Sequence, residues 1–557
     1  MSSTQHIMRF DLDHDWQGNI STPRARIGER AKTRLLILLC AIWLLMGLIG
    51  HHPWKPFESD AISTIKNVID TGNLLAPVSA SNVQLSSPPL YYLSAAITSQ
   101  ALNDILPGHD AARVVTGLWM LITLLMIGMT GRELWGKGFG RQTSFIFISS
   151  IGLVIAAHTL MPEVSALTGI ATGFYALALA KRRPYRASAF LSAGMTIAFL
   201  SSGVLPFSIL ILTSLILPCL FSDWRNLSYG KVIGIAILIA ISISVGWMWL
   251  FYQETPALFN AWWSKSTTLA DESLHLYFVN LLLWYAWPSL PLAVWAIWRY
   301  RAEVFYERKF QLSITFFCIT LLIIGLYGES KDIYAIPLLV PLTAVAAGSI
   351  ETLKRGAAGA LNWFGLIVFG FLGFLIWLGW GAMMSGNPAK LKERLIFLSG
   401  LTKLDFNIIS FSLASAMTLI FLFAAFRSKH SNRSAATNWA IGMTFVWTLL
   451  MTLWLPMIDS ARSYSDVFMS FKKALPTQYT CVNSKNLGSA QRDLLHYYAN
   501  IKTYPIQSGQ NINCDLFLIQ DERKPKKINL GNDWQQIWEG KRISERKESF
   551  RLFQQTQ

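Results

Sequence analysis

Two acidic residues that follow the first apolar segment are the first candidates for chemistry. Glu58 and Asp60 lie in the stretch HHPWKPFESDAISTIKNVIDTGN, at the predicted start of a helix. A carboxylate in the first turn of a helix is favoured by the helix dipole, by roughly 0.3–1 kcal/mol. A carboxylate can also act as a general base that activates an acceptor hydroxyl. Spacing alone favours the capping interpretation, and the catalytic one stays open beside it.

Two further stretches place polar residues in short turns between apolar segments. His158 and Glu163 flank the turn HTLMPE, and a carboxylate at a membrane edge often has a partner or a task. Substrate binding by His158 and metal binding by Glu163 are therefore candidates, with a solvated turn as the alternative. Lys331, in GESKDIYAIP, is a candidate for a lipid phosphate, or it extends to the interface as an ordinary snorkelling lysine.

The elements that must position these residues are long apolar blocks. The chain has 557 residues, of which 52% are hydrophobic and 14% charged, against about 25% charged in soluble domains. This composition excludes a disordered chain, a small disulfide scaffold and an ordinary cytosolic enzyme. Because a span needs about 20 mostly apolar residues, thirteen spans are predicted, at roughly 33–50, 111–131, 142–160, 164–180, 188–205, 207–222, 232–251, 278–298, 312–327, 333–350, 361–384, 407–426 and 437–457.

The net charge of +16 is mainly a topology signal. With the N-terminus inside, 24 Lys and Arg residues lie in the predicted inside segments and nine in the outside ones that precede the tail. The positive-inside rule then places the N-terminus in the cytoplasm and residues 458–557 outside. This distribution argues against a nucleic-acid partner. There is no Walker loop, GxGxxG after a strand or CxxC, so ATP-driven and dinucleotide chemistry are unsupported.

The predicted organisation is a cytoplasmic tail (1–32), a transmembrane domain (33–457) with a large first outer loop (51–110), and an outer tail domain (458–557). The outer tail domain alternates strand-like runs with one helix-like run, which predicts a small α/β fold. Cys481 and Cys514 both lie in it, on the oxidising side. A disulfide between them would close a loop of about 34 residues, worth roughly 3–4 kcal/mol. The alternative is two buried thiols.

Several stretches, taken in order, are similar to a known family. The pieces are WKPFES, IKNVIDTGNLLAP, SSPPLYYL, HTLMPEVSALTGIATGFYALAL, AFLSSGVLP, WYAWPSLPLAVWAIWR, KDIYAIPLLVPLTAVAAG, LKRGAAGALNWFG and LPTQYTCVNSKNLGSAQRDLLHYY. Their order resembles the GT-C glycosyltransferases of the dolichyl-phosphate-mannose-protein mannosyltransferase and lipid A aminoarabinose transferase type. The resemblance covers almost the whole chain. It implies an all-α polytopic membrane protein of about 13 helices with the α/β outer domain, in a bacterial inner membrane.

The resemblance also implies a function and a set of site residues. The family transfers a sugar from a polyprenyl-phosphate donor to a lipid-linked or cell-envelope acceptor at the outer face, with the first-loop acid as base and a divalent metal as a candidate cofactor. Glu58 takes the second place of the acidic pair, and Glu163 takes the later acidic place. The substrate-binding motifs contain Tyr91, Tyr92, Lys331 and Tyr334.

Three residues depart from the family pattern. The leading Asp of the acidic pair falls on Phe57, and the lysines expected near Pro88 and after AFLS are Ser87 and Ser202. Either Glu58 or Asp60 is then the base, or the protein is a non-catalytic relative that binds a lipid-linked sugar or assists a partner enzyme. A transporter or flippase ranks last, because the predicted spans carry almost no acidic residues.

Overall fold

The structure is a computed structural model that describes residues 29–81, 85–269, 277–427, 432–506, 514–522, 533–545 and 548–556. Within these ranges the chain is mainly helical, with one small sheet near the C-terminus. The helices are α1 (Glu29–Leu45), α2 (Phe57–Thr71), α3 (Leu90–Ala101), α4 (Gly108–Trp135), α5 (Phe139–Ile148), α6 (Ile151–Ala156), α7 (Pro162–Leu179), α8 (Pro184–Ser202), α9 (Val204–Leu220), α10 (Leu227–Glu254), α11 (Pro256–Thr267), α12 (Tyr277–Tyr285), α13 (Ser289–Arg299), α14 (Arg308–Tyr327), α15 (Leu339–Ala346), α16 (Ser349–Thr352), α17 (Arg355–Ser385), α18 (Ala389–Ser399), α19 (Ile408–Arg427), α20 (Asn432–Leu449), α21 (Leu455–Arg462), α22 (Ser465–Ala474) and α23 (Ser489–Ala499). The strands are β1 (Val482–Lys485), β2 (Thr503–Pro505), β3 (Leu516–Glu522), β4 (Trp534–Gly540) and β5 (Glu548–Gln555).

The protein has the helices of a membrane protein. In the described ranges, six helices are long and apolar enough to cross a membrane, and a seventh span is formed if α12 and α13, bent by 98°, count as one. Helices or broken helix pairs lie at each of the thirteen predicted positions, but several are short or interrupted. The count of thirteen spans therefore stays a prediction.

Small residues bring the apolar helices α7 and α8 close together. A Cβ on Gly169 would lie 2.5 Å from the backbone nitrogen of Ala198, and one on Gly194 would lie 2.6 Å from that of Gly173. Packing of this kind depends on van der Waals contact between backbones, as expected where lipid gives no hydrophobic drive between helices. It fixes α7, which has Glu163 in its first turn.

The first outer loop forms the two short helices that its sequence predicts. Helix α2 ends at Thr71, and Gly72 follows in the left-handed conformation with φ 69°, which glycine adopts without cost. Helix α3 begins at Leu90, directly after the Pro88-Pro89 pair. In the sequence, Thr71-Gly72 is typical of a helix stop and Pro88-Pro89 of a helix start, so both boundaries are predicted there and confirmed in the structure.

The tail forms one five-stranded sheet with the order β2-β1-β3-β5-β4. Strands β2, β1 and β3 run parallel, while β5 is antiparallel to both β3 and β4. The predicted disulfide is confirmed, because Cys481 and Cys514 are bonded. The small α/β fold is confirmed too, although the sequence did not indicate β2 and β4.

One hydrophobic cluster joins the first outer loop to the tail. It contains Ile62 and Ile65 of α2, Tyr92 of α3, and Leu494 of α23 together with strand residues such as Leu516. Polar contacts follow the same interface, since Asp493 accepts hydrogen bonds from the backbone N–H and the hydroxyl of Ser81, at 3.0 and 2.7 Å. The tail is thus part of the core that holds α2 in place.

Candidate functional site

Glu58 lies in a fully buried ion pair. Its Oε1 accepts from Nε of Arg113 at 2.8 Å, and its Oε2 accepts from a terminal nitrogen of the same guanidinium at 3.1 Å. The backbone N–H groups of Trp54 and Leu160 also donate to the carboxylate, at 2.9 and 3.1 Å. Burial is the largest influence and would raise the pKa of Glu58, but the charge and hydrogen bonds of Arg113, the charge of His51 and the hydrogen bond from Trp54 together hold the pKa below its ordinary value. A carboxylate held so firmly as an anion is a poor proton acceptor.

The same contacts fix the turn that carries Glu163. Glu58 binds the N–H of Leu160, and the hydroxyl of Tyr91 accepts from the N–H of Met161 at 3.0 Å. Tyr91 is fully buried and its hydroxyl also bonds to Thr116 at 2.7 Å. The structure therefore gives Glu58 and Tyr91 the contacts of positioning residues, which join α2, α3 and α4 to the turn before α7.

Asp60 faces a different environment from Glu58. Residues two positions apart on a helix differ by about 200° in direction, so the two carboxylates leave α2 on nearly opposite sides. Hydrogen bonds from Ser79 and Ser86 reach Asp60, and the charge of Lys265 acts on it. Burial is the largest influence and raises the pKa of Asp60, which these three residues only partly offset. Asp60 also keeps a partly accessible surface, as a reacting group requires.

Glu163 is the second carboxylate at this place. It precedes the predicted span 164–180, in the first turn of α7. Burial is the main cause that raises its pKa to about 7; the neighbouring charge of Asp60 acts in the same direction, and Lys331 opposes the shift. A carboxyl with this pKa exchanges a proton near neutral pH, and perturbed acids of this kind gather at functional sites.

Electrostatic interactions connect these residues to most of the predicted substrate-binding residues. Tyr92 interacts with both Asp60 and Glu163, and Tyr334 interacts with Glu163. Lys331 forms an ion pair with Glu329, and both residues lie in the turn that follows α14. We call this set the outer cluster; its members are Asp60, Tyr92, Glu163, Lys265, Lys331 and Tyr334. Glu58, Tyr91 and His158 were predicted with them but make other contacts.

His158 is enclosed by the transmembrane helices. Its two ring nitrogens lie 2.6 Å from the carbonyl oxygen of Val154 and 2.7 Å from that of Trp43. The ring packs between Trp43 and Trp447, with centroids at 4.9 and 4.8 Å. These contacts fasten the turn to α1 and leave the ring nitrogens engaged with backbone.

The two serines at the expected lysine positions lie near the outer cluster. Ser87 hydrogen-bonds Tyr92, and the buried hydroxyl of Ser202 has no hydrogen-bond partner among the described residues. Next to Ser202, Gly203 has φ +77°, and a Cβ there would lie 3.2 Å from the ring of Trp262. Lys265, three residues after Trp262 on α11, is exposed, and its charge acts on Asp60. The sequence indicates Lys265 only as an outside charge and not as a partner of Asp60.

Among the described residues, the outer cluster does not form a closed metal site. A catalytic zinc site usually has three protein ligands, and the described ranges contain no group of three or more His, Cys, Asp and Glu that could hold an ion. Asp60 and Glu163 supply two carboxylates, which is the number that would hold a magnesium ion together with a substrate phosphate.

The comparisons with known proteins support the fold. No family model and no curated protein sequence matches the chain. The structure is similar to ArnT from Cupriavidus metallidurans, with a TM-score of 0.70 for its complex with undecaprenyl phosphate and 0.69 for its apo state. In each case the identity is 12%, over 94% of this chain and 98% of ArnT. A weaker likeness, at a TM-score of 0.42 and 14% identity, relates 82% of this chain to 44% of the arabinosyltransferase EmbB from Mycobacterium smegmatis. The chain therefore has a fold similar to that of ArnT, as the resemblance implies.

Proposed function

We propose that this protein is an integral-membrane glycosyltransferase. It moves a sugar from a polyprenyl-phosphate donor to a hydroxyl of a lipid-linked or cell-envelope acceptor. The observation that carries the proposal is the outer cluster, in which two carboxylates with raised pKa values, Asp60 and Glu163, share one place with two lysines. The similarity to a structure bound to undecaprenyl phosphate supports the donor class.

Asp60 is the general base in this proposal. The acceptor oxygen forms a bond to the anomeric carbon of the sugar, while the bond from that carbon to the phosphate oxygen breaks. The proton of the acceptor hydroxyl passes to Asp60, and the polyprenyl phosphate leaves with the bonding electrons. Attack from the face opposite the phosphate inverts the configuration. A hydroxyl is a weak nucleophile near pH 7, so a positioned base contributes roughly 10²–10⁴-fold.

The other members of the outer cluster bind and orient the substrates. Lys265 and Lys331 offset the charge of the phosphate, which grows as the phosphate leaves. They bind the donor phosphate in place of the two lysines that the family pattern has at the positions of Ser87 and Ser202. Glu163, protonated part of the time near pH 7, donates a hydrogen bond to a substrate oxygen.

We further propose that the protein resides in a bacterial inner membrane. The N-terminus lies in the cytoplasm, and the tail and the outer cluster lie in the periplasm. The surplus of Lys and Arg in the predicted inside segments supports this orientation.

The test is a transfer assay in proteoliposomes that hold a lipid-linked sugar and an extract of cell-envelope acceptors. Asp60→Asn keeps the shape of the side chain and removes its basicity, so transfer should fall by roughly 10²–10⁴-fold. Asp405→Asn is the matched control, because the side chain of Asp405 is 89% exposed and far from the outer cluster in sequence. Full transfer by Asp60→Asn would overturn the assignment.

A second candidate is a non-catalytic relative that binds the lipid-linked sugar. Phe57, at the place of the leading Asp, favours it, since phenylalanine cannot take a proton. This candidate predicts that the purified protein binds donor with no turnover, and that Asp60→Asn leaves donor binding unchanged. Turnover by the wild-type protein in the same vesicles would exclude it.

A further inference from the structure

A polar cavity lies between the C-terminal end of α2 and the tail, away from the outer cluster. Its volume is about 380 Å³, within the range of roughly 300–1,000 Å³ usual for small-molecule sites. One wall is formed by Asn67 and Asp70 of α2. The other is formed by tail residues that include Tyr479, His496 and Tyr504. We call it the tail cleft.

The tail cleft can donate and accept hydrogen bonds without carrying a strong net charge. Two side chains of opposite charge, Asp70 and Lys502, line it, and Asp70 also forms an ion pair with Lys66 at 3.1 Å. Burial, together with the charges of Lys66 and Lys502, lowers the pKa of His496 to about 4, so the ring is neutral at pH 7. A neutral imidazole has one donor and one acceptor nitrogen, of which Nδ1 already bonds to the hydroxyl of Ser63 at 3.2 Å. Amide, carboxylate, imidazole and phenol groups therefore surround one small space.

Two tyrosine rings complete the tail cleft. Tyr479 and Tyr504 are 37% and 43% exposed, so their faces are open to a ligand. Aromatic side chains offer an apolar face together with a polar hydroxyl. This combination suits a sugar ring, which presents hydroxyls at its edge and C–H bonds at its faces.

We propose that the tail cleft binds a neutral sugar unit of the acceptor glycan. This inference rests on the proposed function, because it names the acceptor as a carbohydrate. Asp60 and Asp70 are ten residues apart on α2, about 15 Å along the helix axis. An acceptor glycan several units long therefore reaches from the tail cleft to the base. The hydroxyl that reacts lies at one end, and the anchored unit lies at the other.

The experiment is saturation-transfer NMR on the full chain in detergent micelles. The probes are neutral di- and trisaccharides of glucose, mannose and N-acetylglucosamine, each at millimolar concentration. We expect a signal from at least one series. Tyr504→Ala and, as a second variant, Asp70→Asn should each lower the affinity of the protein for that sugar about tenfold. This is the effect of losing one good stacking or hydrogen-bond contact. Tyr185→Ala is the control, because Tyr185 is 88% exposed at the far end of α8.

A transfer assay separates this inference from the proposed function. In proteoliposomes, the cleft variants should raise the KM for the acceptor and leave kcat unchanged, because the outer cluster is intact. If the wild type transfers sugar and both variants keep its KM for the acceptor, the sugar-binding role of the tail cleft is wrong and the glycosyltransferase proposal stands. If both variants weaken sugar binding but the wild type shows no transfer, the tail cleft binds sugar and the glycosyltransferase proposal is wrong. No binding by any probe, or binding that inorganic phosphate displaces, also overturns the inference.

Discussion

The sharpest consequence of the structure concerns Glu58, which the sequence offers as a base and the structure places in an ion pair. We expect Glu58→Gln to reduce stability before it affects chemistry. The substitution keeps the size of the side chain and removes its charge. It leaves the guanidinium of Arg113, which is 0% exposed, without its main partner.

The magnitude follows from the remaining contacts of Arg113. Breaking a buried ion pair from one side costs about 3–5 kcal/mol. Arg113 keeps the carboxylate of Asp110 and the carbonyl oxygen of His51, each at 2.8 Å. We therefore expect the lower end of that range, about 3 kcal/mol. The double variant Glu58→Gln/Arg113→Gln should recover little of this loss, because the carboxylate of Asp110, which is 4% exposed, then loses Arg113 as its partner.

The assay is thermal unfolding of the protein in nanodiscs, followed by tryptophan fluorescence, for which the chain has 22 tryptophans. Glu133→Gln is the matched control. Glu133 also holds an arginine through two contacts, but Arg182 is 56% exposed, so the loss of stability should be much smaller than for Glu58→Gln. A Glu58→Gln protein that melts like the wild type and has lost transfer would refute the reasoning and make Glu58 the base.

Three other outcomes follow from the same structure. The transfer rate between pH 5 and 9 should contain a step near the pKa of Glu163, about 7, and Glu163→Gln should lack that step; an unchanged profile would exclude Glu163 from the reaction. Burial raises the pKa of Asp493 from 3.8 to about 6, so the folded state binds the proton more tightly than the unfolded state. The free energy of unfolding should therefore fall by about 3 kcal/mol as the pH rises from about 4 to about 6. Asp493→Asn should remove this slope in pH-dependent unfolding, and a slope that persists would contradict the assignment. Replacing Cys481 and Cys514 by serine should reduce the stability of the tail by roughly 3–4 kcal/mol, measured as faster limited proteolysis, whereas Cys318→Ser, at a free cysteine, should leave proteolysis unchanged.

Local signals account for the parts of the fold that the sequence predicts well. Thr71-Gly72 ends α2 because glycine adopts a positive φ, and Pro88-Pro89 precedes α3 because proline suits the start of a helix. The apolar blocks predict most of the membrane helices, because a span needs about 20 mostly apolar residues. Strands β2 and β4 were missed because β2 has only three residues and β4 alternates weakly between polar and apolar side chains.

The roles within the site depend on contacts between distant segments. Glu58 and Asp60 look equivalent in the sequence, and only the position of α4, with Arg113 55 residues later, separates them. The charge of Lys265 on α11, more than 200 residues later, acts on Asp60. In the sequence, Arg113 and Lys265 indicate only the membrane orientation, since nothing in their local sequence indicates a partner. Long-range pairing of this kind has no periodic signal that a single sequence could reveal.

The shared core of α2 and the tail has a consequence for biosynthesis. Helix α2 is synthesised some 400 residues before α23, and the cluster that joins Ile62 and Ile65 to Leu494 and the sheet is complete only when those residues have been made. Until then α2 packs without the part of its core that the tail supplies. The environment of Asp60 on α2 is therefore completed late in synthesis, when the residues of the tail join those of the first outer loop.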